Sequence, residues 1–471
     1  MKSVFFFLLT AWAGVATTQA ATPAEVVSTA ADRSSTAVTV YNDNLALVKE
    51  KRQINLPAGT VRLSLREVSA QLQAETALLR AVSGRPITLI EQNFDFDLLT
   101  PEKLLDKYVG REVTVIRSNP ATGVETREKA TVLAAGQGTV LRFADRIETG
   151  VPGRIAYDSV PSNLRDRPTL SVLFEGGGGQ QTLELSYLTG GISWRADYVA
   201  ELAADGKSLD LSGWVTLTNS SGTTFENAHL QLVAGKVNRV RQGYQMANMP
   251  APSPAARSSM APPPREEGLM DYHLYTFDHP TTLAVNQTKQ LALLSASGVP
   301  VEHEYLLAGA DYYYRALFDS LGEKLKPAVF IILRNKGGQL GKPLPAGIVR
   351  AYARDSQGAA QFVGEDRIEH TAKNETVRLR LGEAFDITAD RKQTNYKLVS
   401  DKVAETSYRL VIRNAKPEEV VVQVQEPIPG DWEIIQENLK HTKTSSRTAR
   451  WEARIPPEAS TTLEYTVRVK W

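Results

Sequence analysis

Asp95 and Asp97 alternate with Phe94 and Phe96, so a strand through them sets two carboxyls on one face and two rings on the other. Cleavage of a glycosidic bond needs two carboxyls roughly 5 to 10 Å apart, and an i, i+2 spacing reaches the lower bound. Plain amphipathic alternation accounts for the same residues without chemistry. Asp95 and Asp97 are therefore candidate glycan-contacting acids, and no residue is assigned a catalytic role. A second candidate is Tyr312-Tyr313-Tyr314-Arg315. Read as a strand, it sends Tyr312 and Tyr314 to one face and Tyr313 to the other, and outward rings with polar tips suit a glycan or a protein surface. Core packing or a strand edge is the competing reading.

Other chemistries lack their parts. The six histidines, His229, His273, His279, His303, His370 and His441, are scattered. The nearest pair, His273 and His279, would lie about 20 Å apart on one strand face, and His303 stands between Glu302 and Glu304, so no metal site is expected. Ser193 lacks the second glycine of a nucleophile elbow, and its neighbour Trp194 reads as core. Gly176-Gly177-Gly178-Gly179 is followed by neither Lys-Ser/Thr nor a helix, so it is a hairpin tip and not a phosphate loop. Met246, Met249, Met260 and Met270 lie in or beside a proline-rich stretch. Thioethers suit copper(I), but the spacing is loose and no histidine joins them. No cofactor is expected.

Composition narrows the field further. The absence of cysteine excludes disulfides, thiolate nucleophiles, Cys-type zinc sites and a lipid-modified cysteine. Lys2, the apolar run from Val4 to Val15 and Thr18-Gln19-Ala20 form the three parts of a secretory signal over residues 1–20. The run is shorter than the roughly 20 apolar residues of a membrane helix, and no later segment is apolar for long enough, so no transmembrane span is expected after cleavage. Lys and Arg number 54 and Asp and Glu 53; removing Lys2 leaves 53 of each. A chain with zero net charge has no field for nucleic acid.

The elements that must hold these residues are mostly strands. Residues 21–36 are rich in Ala, Thr and Ser and read as a disordered leader. From Val38 the pattern alternates: Val61, Leu63 and Leu65 against Arg62, Ser64 and Arg66 is the clearest case. Thr100 as cap, Pro101 at the first position and a face of Leu104, Leu105 and Tyr108 predict one helix ending at Gly110. A small N-terminal β domain over 37–165 follows, then a central β domain over 166–325. The latter is interrupted at 240–268 by a proline-rich loop, a linker or an insertion. Residues 326–471 read as C-terminal sandwich modules. Trp214–Asn219, Phe330–Asn335 and Tyr408–Asn414 each run apolar and end in Asn, which tolerates left-handed turns; this echo suggests related modules. Tyr465, Val467, Val469 and Trp471 alternate to a terminal aromatic, as outer-membrane barrel strands do, but they also suit the last strand of a sandwich. The fold class is thus all-β with minor α, built from several sandwich-like modules.

Three stretches carry a resemblance: Gly190-Gly191-Ile192-Ser193-Trp194-Arg195-Ala196-Asp197-Tyr198; Glu226 through Gly235; and Leu344 through Tyr352 with Gly364-Glu365-Asp366 and Gly382-Glu383-Ala384-Phe385-Asp386. Together they resemble the uncharacterised domain that ends bacterial mucoidy-inhibitor-like proteins, over roughly residues 185–471. The resemblance implies β domains in an exported envelope protein with an effect on surface polysaccharide. It supplies no catalytic residues, and the heptad-rich helical arm of longer members has no counterpart here. The expectation is an exported, non-catalytic interaction or scaffold protein, periplasmic or envelope-associated, whose partner is a protein or polysaccharide of the cell envelope. The alternative is a glycan-binding or glycan-cleaving protein using Asp95 and Asp97.

Overall fold

The computed structural model describes residues 24–95, 97–136, 138–150, 153–161, 164–238, 264–337 and 339–471. The signal expected over residues 1–20, Phe96, most of the proline-rich stretch and Met246, Met249 and Met260 lie outside these. Of the described residues, 65 % are in strands and 4 % in helices, an all-β fold with minor α. It divides into two units, residues 1–36 with 48–188 and residues 37–47 with 189–471.

The first unit contains β1 (Ala24–Ser28), the first residues of β2 (Arg33–Tyr41) and most of β3 (Leu45–Arg66), followed by β4 (Leu78–Ser83) and β5 (Ile87–Asp95). Helix α1 (Pro101–Lys107) precedes β6 (Glu112–Ser118), β7 (Glu125–Ala134), β8 (Val140–Arg142), β9 (Ile147–Thr149), β10 (Arg154–Ala156) and β11 (Thr169–Thr189). α1 starts where the sequence places it, with Thr100 Oγ1 accepting from the Lys103 amide. Strands β10-β6-β7-β8-β9 form one antiparallel sheet whose core is Tyr108, Val113, Val115, Ala130, Val132, Leu141 and Phe143. In β11, Gly178 and Gly179 take φ values of 75° and 87°, the pair of left-handed residues a type I′ tip requires. The arms on either side pair with β5 and β4.

Residues 24–36 differ from the sequence reading. Where a disordered leader is expected, β1 pairs in parallel with Val61–Leu65 of β3, and Thr29 caps a 3₁₀ turn at Ala30–Asp32. The reason is a buried charge cluster. Arg52, 1 % exposed, donates Nε and Nη2 to Glu50 Oε1 at 3.0 and 2.7 Å, and Arg33 Nε lies 2.8 Å from Glu50 Oε2. The remaining Arg52 donors reach the carbonyls of Ser28 at 3.1 Å, Thr29 at 3.3 Å and Arg66 at 2.9 Å. Polar, weakly strand-forming residues are thereby ordered by a guanidinium that needs their carbonyls.

The second unit holds the rest of β2, whose Ala37–Tyr41 pair in parallel with β14. In order come β12 (Ile192–Leu202), β13 (Ser208–Asn219), β14 (Phe225–Ala234), β15 (Arg265–Leu269), β16 (Tyr272–Thr276), β17 (Thr281–Leu283) and β18 (Gln287–Ala308). Then follow β19 (Ala328–Arg334), β20 (Gly347–Arg354), β21 (Ala360–Ile368), β22 (Thr376–Glu383), β23 (Ile387–Ser400), β24 (Val403–Asn414), β25 (Val420–Pro427), β26 (Asp431–Glu437), β27 (His441–Ser445), β28 (Thr448–Ile455) and β29 (Ser460–Lys470). The sheet β23-β24-β29-β26 packs on β25 and β28, burying Ile387, Leu410, Val422, Trp451, Leu463, Tyr465, Val467 and Val469 in one sandwich core. The alternating C-terminal residues Tyr465, Val467 and Val469 are thus interior to a sandwich, with Trp471 beyond the last strand.

The echoed asparagines mark the strand ends of this unit by a mechanism other than left-handed backbone. None of Asn219, Asn335 and Asn414 has positive φ; each is almost fully buried and staples the loop that follows. Asn219 Oδ1 accepts from the Ser221 amide and its Nδ2 donates to the carbonyls of Thr223 and Leu283. Asn414 repeats this with Lys416, Glu418 and Ile455, and Asn335 with Gly341, Lys342 and Ala372. The left-handed residues sit across from them, at Asn286, Asn374 and Glu458. In the middle staple the loop carbonyl comes from residue 342, seven positions on, against four positions in the other two.

Two outcomes check these assignments. Arg52→Met removes one of the two guanidiniums on Glu50 and orphans three carbonyls, and urea unfolding should show a loss of about 3–5 kcal/mol; a loss under about 1 kcal/mol would contradict the role given to it. Alanine at Asn219, Asn335 or Asn414 should each cost about 1–3 kcal/mol by the same measurement, the penalty of orphaned buried backbone groups.

Candidate ligand groove

The sequence candidates are dispersed. Tyr312–Tyr314 is no strand: Asp311–Tyr314 forms a 3₁₀ turn, so period-two alternation fails. Tyr312 is half exposed, whereas Tyr313 and Tyr314 are buried and are not surface contacts. They belong to a network the sequence reading missed. Arg391 Nη2 donates to Glu426 Oε1 at 2.8 Å, and both side chains are essentially inaccessible. Tyr314 Oη donates to Glu426 Oε2 at 3.0 Å and lies 3.0 Å from Tyr465 Oη; Tyr408 Oη donates to the Tyr313 carbonyl at 2.7 Å. Burial pushes the Glu426 carboxyl above the usual carboxylate range, against the pull of Arg391 and Tyr314. Gly309 passes so close that any Cβ there would collide with this carboxylate. The cluster pins the turn to the sandwich, and no substrate can reach it.

Asp95 and Asp97 do not converge either. Strand β5 ends at Asp95, which accepts from Ser171 Oγ at 3.1 Å and Arg165 Nε at 3.3 Å. Asp97 turns to Lys107 at 3.1 Å and Lys103 at 3.2 Å. Hydrogen bonds from Lys107 and then Lys103 hold its carboxyl below the usual aspartate range, the opposite of what a proton donor to a leaving group needs. A cavity of about 240 Å³ lies nearby, lined by Ser64, Arg66, Leu164, Arg165, Asp166 and Thr169. Its charged groups are already paired, Arg66 with Asp166 inside the cavity and Arg165 with Asp95 outside it.

Among the described residues no three His, Asp or Glu side chains are placed to hold a metal ion. His273 bonds Glu266, His441 bonds Glu437, and His303 bonds the Gly206 carbonyl. Trp194 is buried as expected of a core residue.

The site that emerges lies in the second unit. Strand β18 pairs with β13 as far as Pro300 and then, from Val301, with β19. This change of partner opens a groove of about 510 Å³ lined by Ser297–Glu302, Ile332–Arg334 and the loop residues Lys336, Gly337, Gln339 and Leu340. Its buried side chains are Val299, Leu333 and Leu340; Glu302, Arg334 and Lys336 are exposed. The walls are fixed. Gly298, φ 64°, sits in a bulge whose amide donates to Asp210 Oδ1 at 2.8 Å, and the Ser297 amide donates to Gln339 Oε1 at 2.6 Å. The loop itself is the long one stapled by Asn335, and its extra residues are those that form the wall. An apolar concavity of this size with few polar groups is suited to binding.

No helix among the described residues is long and apolar enough to cross a membrane. No curated protein matches the chain. Residues 183–471 match the model of a family described as a domain of unknown function, DUF4139. With well over half its length matched, and all of the groove inside the matched region, the chain belongs to the DUF4139 family.

Proposed function

We propose that this chain is a non-catalytic binding protein of the bacterial cell envelope that engages its partner through the groove between β18 and β19. The observation that carries the reading is the groove itself: a preformed, largely apolar concavity of about 510 Å³. The acids that suggested glycan cleavage support this by their engagement elsewhere. Asp97 is held ionised by two lysines, and Asp95 is tied to Arg165 and Ser171. Export rests on the charged start, apolar run and small residues of residues 1–20. The resemblance to the end of mucoidy-inhibitor-like proteins supports a place near surface polysaccharide.

The competing enzyme reading is separable by one assay. Purified protein incubated with envelope polysaccharide should release no new reducing ends, and Asp95→Asn with Asp97→Asn should behave identically. Release by the wild type that disappears in the double variant would overturn the non-catalytic reading in favour of a glycan-cleaving one.

A further inference from the structure

The groove has a polarity that specifies its ligand. Its floor is apolar, with Val299, Leu333 and Leu340 at most 8 % exposed. On its rim, Arg334 and Lys336 have no ion-pair partner among the described residues, whereas Arg378, on the strand paired with β19, bonds Glu304 at 2.7 Å. Two unmatched cations beside an apolar floor are complementary to a ligand with an anionic head and an apolar body. Glu302 is the single acid of the rim, so the rim carries one net positive charge and suits a monoanion better than a dianion.

The groove is also a departure from the repeated plan of the unit. At Asn219 the staple closes on residue 223, and the crevice beside it leaves no space for a water molecule. At Asn335 the staple closes three residues later, on 342, and the added length carries Gln339 and Leu340 into the wall. Lys336 begins the loop, next to the buried Asn335. A loop that long would ordinarily lose entropy on binding; the Asn335 bonds and the Gln339–Ser297 bond remove that cost beforehand.

We propose that this groove binds a small amphiphile with an apolar body and a single negative charge, its body on Val299, Leu333 and Leu340 and its anion on Arg334 and Lys336. The assignment rests on the non-catalytic reading above and names the ligand class for the same site.

Two probes with one shared body test it: 8-anilinonaphthalene-1-sulfonate, a monoanion, and N-phenyl-1-naphthylamine, which is neutral. The sulfonate should bind the folded full chain saturably, at one site, with enhanced fluorescence. Arg334→Ala with Lys336→Ala should weaken the sulfonate about tenfold or more, the loss expected of charge-assisted bonds, and leave the neutral probe unchanged. Gln339→Trp, which fills the groove from an exposed position, should abolish both. Thermal unfolding of each variant confirms that the fold is kept. Absence of saturable sulfonate binding, or sulfonate binding indifferent to the double variant, would overturn the ligand class. These failures are distinct from polysaccharide turnover, which would instead overturn the non-catalytic reading.

Discussion

Each unit is organised around an arginine that has been taken out of water together with a glutamate. Such a pair is costly to bury, and its net contribution to stability is small or even unfavourable compared with a packed apolar substitute. What it does is dictate geometry. Arg52 has more donors than Glu50 can accept, so it collects the carbonyls of Ser28, Thr29 and Arg66. Arg391 likewise bonds Glu426, the Ala308 carbonyl and Tyr313 Oη. In both cases the surplus donors hold a stretch of chain with little strand character, and the irregular segments become parts of the core.

The same economy of charge shapes function. Along most strands the acids and bases meet partners a few ångströms away, from Arg350 with Asp197 to Arg409 with Glu464. Groups committed in this way are poor general acids, bases or nucleophiles, because their protonation is set by the partner and not by a substrate. Reactive convergence is absent where the described carboxylates cluster. The groove between β18 and β19 differs in being apolar beneath and incompletely neutralised above. It is a by-product of topology: β18 is long enough to serve two partners, and the change at Val301 leaves a gap that the Asn335 loop walls off.

Much of the fold was legible from side-chain alternation. Val61, Leu63 and Leu65 are buried as their phase requires, α1 starts at the capping Thr100, and Tyr465, Val467 and Val469 point into a sandwich. The failures have physical causes. Residues 24–36 are too polar and small to signal order by themselves, and their order comes from Arg52. Tyr313 and Tyr314 sit in a 3₁₀ turn, to which a period of two does not apply. A signal for the buried pairs was nonetheless present, since Glu50 and Arg52 continue the buried phase of Ala46, Val48, Ile54 and Leu56. Glu426 follows Val420, Val422 and Val424 in the same way. A charge in phase with apolar neighbours announces a buried partner without naming it. The asparagine echo was visible too, but its mechanism is side-chain hydrogen bonding, and only in the folded chain is the middle loop seen to be longer and to open a groove.

The dependence of irregular segments on buried arginines is most directly tested by residue-resolved hydrogen exchange on the unmodified protein. The amides of Ala30, which donates to Glu67 Oε2, and Tyr313, which donates to the Ala310 carbonyl, should exchange with the slow set of strand amides flanking them. Exchange of both at the rate of an unstructured peptide, with the neighbouring strands protected, would show that Arg52 and Arg391 do not order these segments and would contradict the account.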